Sequence, residues 1–154
     1  MPYNVNPQDT QDSITSYLHE KYPHIPIIPD GMISEDDDDL IDKYQDQSIK
    51  PFIILWFNNP KRRPRGRSFA SHKLDSRYAS VDVVVVGRNG SEVRKLSNHI
   101  TDTLLDFKPD KGGRLTEGSS LWGSTRSLDM GNRPSRFAST NRFDFGVSST
   151  KVDT

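Results

Sequence analysis

Two uninterrupted apolar stretches dominate this 154-residue sequence, Phe52-Ile53-Ile54-Leu55-Trp56-Phe57 and Val83-Val84-Val85-Val86, and any core must be organised around them. The first is apolar on both faces of an extended chain and is bounded by Pro51 and by Asn58-Asn59-Pro60, which predicts a central strand covered on both sides. The second lies within Arg77 to Gly87, where the β-branched run predicts another strand. Material to cover them is scarce. Leu, Ile, Val and Phe make up only 36 of the 154 residues, close to the composition at which chains remain disordered. The expectation is one small sheet with one or two helices, drawing part of its stability from a partner subunit.

Periodicity supplies the helices. Asn6-Pro7-Gln8-Asp9 is a helix start, with an Asn cap, a proline at the first helical position and an acid in the first turn. Ile14, Tyr17 and Leu18 give this helix one apolar face, and Pro23 ends it near Tyr22. Asn89 followed by Glu92 resembles a capping box, and Val93, Leu96, Ile100, Leu104 and Phe107 continue at helical spacing. After the turn Lys111-Gly112-Gly113 comes a weaker strand, from about Arg114 to Ser127, and then the turn Gly131-Asn132-Arg133-Pro134. The last strand, Phe137 to Val147, keeps Phe137, Phe143, Phe145 and Val147 on one parity and Thr140, Arg142 and Asp144 on the other. Residues 23–50 carry no pattern that assigns structure.

This order predicts an α+β fold: a four-stranded, mostly antiparallel sheet with helices packed on one face and a long basic loop between the first two strands. The expected organisation is an N-terminal helix plus an acidic, Pro-containing extension over 1–50, an α+β core over 51–148 with its loop at 58–77, and a frayed tail over 149–154.

The formal net charge of zero conceals a division. Residues 1–50 hold eleven Asp/Glu against three Lys, and residues 51–154 hold eighteen Lys/Arg against ten acids, so the two parts carry −8 and +8. Absence of cysteine removes disulfides, thiolate metal sites and thiol nucleophiles. The apolar stretches are too short to span a bilayer and the first residues have no leader-like pattern, so a soluble, unexported chain without membrane contact is expected.

His19, His24, His72 and His99 are scattered, with no HExxH and no paired ligands. Asp36 to Asp39 are consecutive, without the alternating ligands and central Gly of an EF-hand loop. Gly118 to Thr125 has the outer spacing of a phosphate loop but places Ser124 where Lys is needed. No catalytic, cofactor-binding or metal-binding residue is therefore assigned, and no enzymatic activity is expected.

The dense feature is Lys61-Arg62-Arg63-Pro64-Arg65-Gly66-Arg67, five cations in seven residues. It lacks apolar groups and repels itself, so alone it should be extended and in need of an anion. Nucleic-acid phosphate is one candidate, attracted through counterion release. Another is an acidic protein surface such as the −8 part of a neighbouring copy, whose densest stretch is Glu35, Asp36, Asp37, Asp38 and Asp39. A merely solvated loop is the third reading. Only Phe69 lies near for base stacking and the total charge is balanced, which disfavours a dedicated nucleic-acid module. A loop of this length in a small domain is normally functional or ordered by a partner. Trp56 and Trp122 read as core or interface anchors.

The run from Phe52 to Val147 resembles the tail-terminator (tail-completion) proteins of long-tailed bacteriophages. The likeness is carried by the helix Pro7 to Tyr22, the strand Phe52 to Phe57, the long loop, and the strand Tyr78 to Val86. It continues through Gly87-Arg88-Asn89-Gly90-Ser91-Glu92-Val93 into the helix ending Leu104-Leu105-Asp106-Phe107-Lys108-Pro109, the Gly-Gly turn, Gly131-Asn132-Arg133-Pro134 and the closing strand. The resemblance implies an α+β virion subunit, assembled in the host cytoplasm, that closes into a six-fold homo-oligomeric ring on the head-proximal end of the tail tube. It would stop polymerisation of the tube protein and offer a docking surface to head–tail connector proteins. The basic loop would be an assembly arm; were it to line the channel, it would touch passing DNA only transiently. The other readings are a nucleic-acid-binding accessory protein that uses residues 61–67, or another head–tail connector component.

Overall fold

The two apolar runs lie side by side. The computed structural model describes residues 3–4, 8–29, 42–46, 48–58, 61–62, 77–118, 125–127, 136–147 and 150–151. In chain order the elements are β1 (Tyr3–Asn4), α1 (Gln8–Lys21), β2 (Ile27–Pro29), β3 (Phe52–Phe57), β4 (Lys61–Arg62), β5 (Arg77–Gly87), α2 (Gly90–Leu104), β6 (Thr116–Glu117), β7 (Thr125–Ser127), β8 (Phe137–Val147) and β9 (Thr150–Lys151). β5 is the centre of the sheet. It pairs antiparallel with β3 from Phe52↔Val86 to Phe57↔Val81, and with β8 along its whole length, from Arg77↔Val147 to Gly87↔Phe137. Its β-branched residues suit a strand with a neighbour on each edge and side chains covered above and below.

The α+β class is as expected, and so are strands β3, β5 and β8 and the packing of both helices on one face. The sheet itself differs from the four-stranded expectation. Its path is β2-β3-β5-β8-β6, and β2 runs parallel to β3, making the sheet mixed. The extra strand comes from the Pro-spaced segment at Ile27–Pro29. Proline cannot donate to a ladder, but at an edge the lost donor costs little, and Ile53 N–H donates to the Pro26 carbonyl at 2.9 Å.

The single strand expected from about Arg114 to Ser127 is two short ones. β6 and β7 both pair with β8, at Thr116↔Asp144 and Glu117↔Phe143 and then at Thr125↔Ser139 to Ser127↔Phe137. Residues 119–124, with Trp122, lie outside the described residues. The expected tail contributes β9, which pairs with β1 through Tyr3↔Lys151 and Asn4↔Thr150.

α1 buries Thr10, Ile14 and Leu18, one residue per turn, and so joins the core built by the strands instead of standing apart from it. α2 begins at Asn89, whose side chain accepts from the Glu92 N–H at 2.8 Å. Only half of the expected capping box forms, because the Glu92 carboxylate turns to Arg88 Nε at 2.8 Å. Val93, Ile100 and Leu104 pack down on Val81, Val83, Val85, Phe143 and Phe145. Between α2 and β8 runs a polar seam: Asn141 Nδ2 donates to Ser97 Oγ at 2.6 Å and to Thr101 Oγ1 at 3.1 Å. The turn after α2 closes against α1 at Gly112, where a Cβ would stand 2.9 Å from Thr10 Cγ2.

Even-numbered residues of β3 and β5 face the other way. There Phe52, Val86 and Ala138 form a second buried cluster around Ile49, with Ile28, Ile54 and Val84 at its margin. Ile49 arrives on a small hairpin, residues 42–50, closed by Tyr44 N–H to the Ser48 carbonyl and Lys50 N–H to the Asp42 carbonyl, both 2.8 Å. The hairpin is clasped from the side by Arg88, whose guanidinium lies 4.5 Å from the Tyr44 ring centre. The described residues within 23–50 therefore supply an edge strand and a plug, neither of which has a periodic signal.

Candidate assembly interface

The clasp covers one half of the second sheet face. The register sets Trp56, Asp82 and Arg142 in one row across β3, β5 and β8 on the other half. Trp56 is 38% exposed, the exposed large hydrophobic side chain of the described residues. An acid inside a valine run needs a partner, and Asp82 has one. Arg142 donates through Nε to Oδ1 at 2.7 Å and through Nη2 to Oδ2 at 3.1 Å, a bidentate pair. These hydrogen bonds raise the Arg142 pKa above its ordinary value, against the opposing effect of burial and with charge attraction added. A partly exposed indole beside a fixed ion pair thus gives this half of the face one aromatic group with a polar surround.

The same half of the face leads to the basic segment. Asn58 N–H donates to the Ser80 carbonyl at 2.9 Å and its side-chain amide to Ser80 Oγ at 2.8 Å. The ladder then resumes in β4, with Lys61 opposite Tyr78 and Arg62 opposite Arg77. Lys61 and Arg62 thus add a short paired strand to the β3–β5 hairpin within the segment expected to be a loop over 58–77. Arg63, Arg65 and Arg67 lie outside the described residues, as do Glu35, Asp36, Asp37, Asp38, Asp39 and Trp122.

Among the described residues no group of three or more His, Cys, Asp or Glu side chains converges in a way that could hold a metal ion. At the junction of the two helices the Tyr22 hydroxyl meets His99 Nδ1 at 2.5 Å and Thr103 Oγ1 at 2.9 Å. Burial raises the Tyr22 pKa, opposed by the Thr103 hydrogen bond, so this hydroxyl keeps its proton and ties α1 to α2. Among the described residues no helix is long and apolar enough to cross a membrane.

The sequence reading named Trp56 but missed the Asp82–Arg142 pair beside it. Its signal was present: each is a charged residue in an otherwise strand-forming run, and only the register shows that they meet. No protein-family model matches this chain, and no curated protein matches it either.

Proposed function

We propose that this chain is a tail terminator: a virion subunit that closes into a ring on the head-proximal end of a phage tail tube, ends polymerisation of the tube and receives the head's connector proteins. The observation that carries the reading is the long β3–β5 hairpin, whose ladder runs through Lys61↔Tyr78 and Arg62↔Arg77 into a segment of five cations in seven residues. A stem of paired strands delivering a basic arm suits assembly better than an isolated solvated loop would. The −8 and +8 division supports it, since heterologous contacts close a ring only where one surface complements another on the next copy. Trp56 on a partly open sheet face adds a second contact surface.

Two-dimensional class averages of the purified chain, with sedimentation velocity at several salt concentrations, test the reading. Rings of about six copies that loosen as ionic strength rises are expected. Absence of rings at every concentration, together with absence of the protein from the head–tail joint of virions, would sink it. The nucleic-acid alternative predicts instead that the monomer binds DNA with steep salt dependence and loses that binding when Lys61 to Arg67 are neutralised.

A further inference from the structure

A groove of about 790 Å³ runs along α1 and the turn that follows α2, lined by Asp9, Asp12, Tyr17, Glu20, Phe107 and Asp110, with Ser13, Ser16 and Lys111 between them. Its charged α1 residues Asp9, Asp12 and Glu20 stand away from the buried Thr10, Ile14 and Leu18, while Tyr17 and Phe107 form its inner wall, packed against the core. Tyr17 and Phe107 are stacked in it, ring centres 3.8 Å apart and planes within 5°. Four carboxylates face one ammonium, that of Lys111, which is bound to Asp9 at 2.5 Å.

The chain's own cations already gather here. Asp9 raises the Lys111 pKa, first by hydrogen bonding and then by charge, and Lys21 Nζ lies 5.6 Å from the Tyr17 ring centre. Concavity, excess negative charge and aromatic faces together fit an extended cationic segment, whose guanidinium groups can pair with carboxylates and stack on rings.

We propose that this groove seats the basic segment Lys61–Arg67 of a second copy of the chain. The inference rests on the ring reading and names the contact that would close it. Position supports it as well as charge. The described part of the arm pairs as far as Arg62 opposite Arg77, Arg77 pairs with Val147, and Gly112, next to the groove's Asp110 and Lys111, bridges that same Val147. Arm and groove therefore sit at one end of the subunit. In a cyclic assembly the equivalent ends of neighbouring copies lie level, which sets the base of one copy's arm at the same height as the next copy's groove.

The absence of cysteine gives a clean test in the full chain. Ser16→Cys, in the groove and exposed, and Arg65→Cys are made singly, mixed under assembly conditions and oxidised. A disulfide-linked pair found only in the mixture is expected. The double variant should give a ladder of linked copies; a bridged monomer instead would place the arm on its own groove and overturn the proposal. Rings without the cross-link also overturn it and leave the ring reading standing, whereas the cross-link without rings supports the contact and removes the ring. Absence of both removes both. Reversing charge with Asp12→Lys and Glu20→Lys should weaken self-association about tenfold, the scale of two exposed ion pairs turned to repulsions. Reversing Arg63 and Arg65 to Glu in the same chain should restore it; unchanged association in the groove variant counts against the contact.

Discussion

Ile49→Ala tests the part of the fold with the least sequence signal. Ile49 has no exposed surface and is seated among Phe52, Val86 and Ala138. The substitution deletes three buried carbons, worth roughly 2.4 kcal/mol at about 0.8 kcal/mol per buried methylene. The cavity left behind adds to this, less whatever the short hairpin recovers by collapsing, so the expected loss is roughly 2–4 kcal/mol. For a domain of this size that lowers the melting temperature by about 5–15 °C. The assay is urea unfolding at one fixed protein concentration, since a self-associating chain gains stability with concentration. Tyr44→Ala is the companion: it removes the ring under Arg88 but leaves the plug, and should lose only about 0.5–1 kcal/mol. If Ile49→Ala loses less than about 0.5 kcal/mol, the range of an ordinary surface substitution, the hairpin does not plug the second face.

Three further outcomes follow from the fold. Leu18→Ala should lose roughly 2–5 kcal/mol in urea unfolding, because the side chain is fully buried; a value near zero would detach α1 from the core. Asn89→Ala should lose about 1 kcal/mol and Asn89→Asp far less, since either Asn or Asp can accept from the Glu92 N–H; equal losses would mean that the cap is not what matters. The Tyr22 pKa is raised by burial, so folding favours its protonated form. The associated stability is whole below the unfolded value near 10 and is lost as pH climbs through the higher folded value. Phenolate absorbance of wild type minus Tyr22→Phe reads this, and an inflection below 10 contradicts it.

What was legible in the sequence had period and length. β5 and β8 appear with the bounds their patterns suggest, and α2 shows its cap and its apolar stripe because Asn89, Val93, Ile100 and Leu104 each do locally what they do globally. The segments read as patternless are those whose structure depends on another part of the chain. Ile27–Pro29 is too short and too rich in proline to announce a strand, yet it needs only β3's free edge to become one. Ile49 is a lone apolar residue among polar ones, and only the vacant half of a sheet face gives it a place. The site divides in the same way. Trp56 could be named from its type, whereas Asp82 and Arg142 lie 60 residues apart and meet through register alone.

The thin apolar supply shapes where assembly can occur. Among the described residues, aliphatic and Phe side chains cover one sheet face with two helices, and on the other they bury the half near Phe52, Val86 and Ile49. That covered half adjoins the β5–α2 turn, with its Asn89 cap and the Arg88 clasp. The remaining half, with Trp56 and the Asp82–Arg142 pair, faces the opposite end of β5, where the ladder passes into Lys61 and Arg62. The α1 groove meets that same end through Gly112 and Val147. Determinants of folding and candidate determinants of association are thus segregated along the strands. Because such sites share no partners, their effects should add. A subunit weakened at Ile49 or Asn89 should therefore assemble with the native dependence on salt once enough of it is folded, whereas charge reversal at the exposed Asp12 and Glu20 or in the arm should alter association while the urea midpoint of the monomer stays where it was.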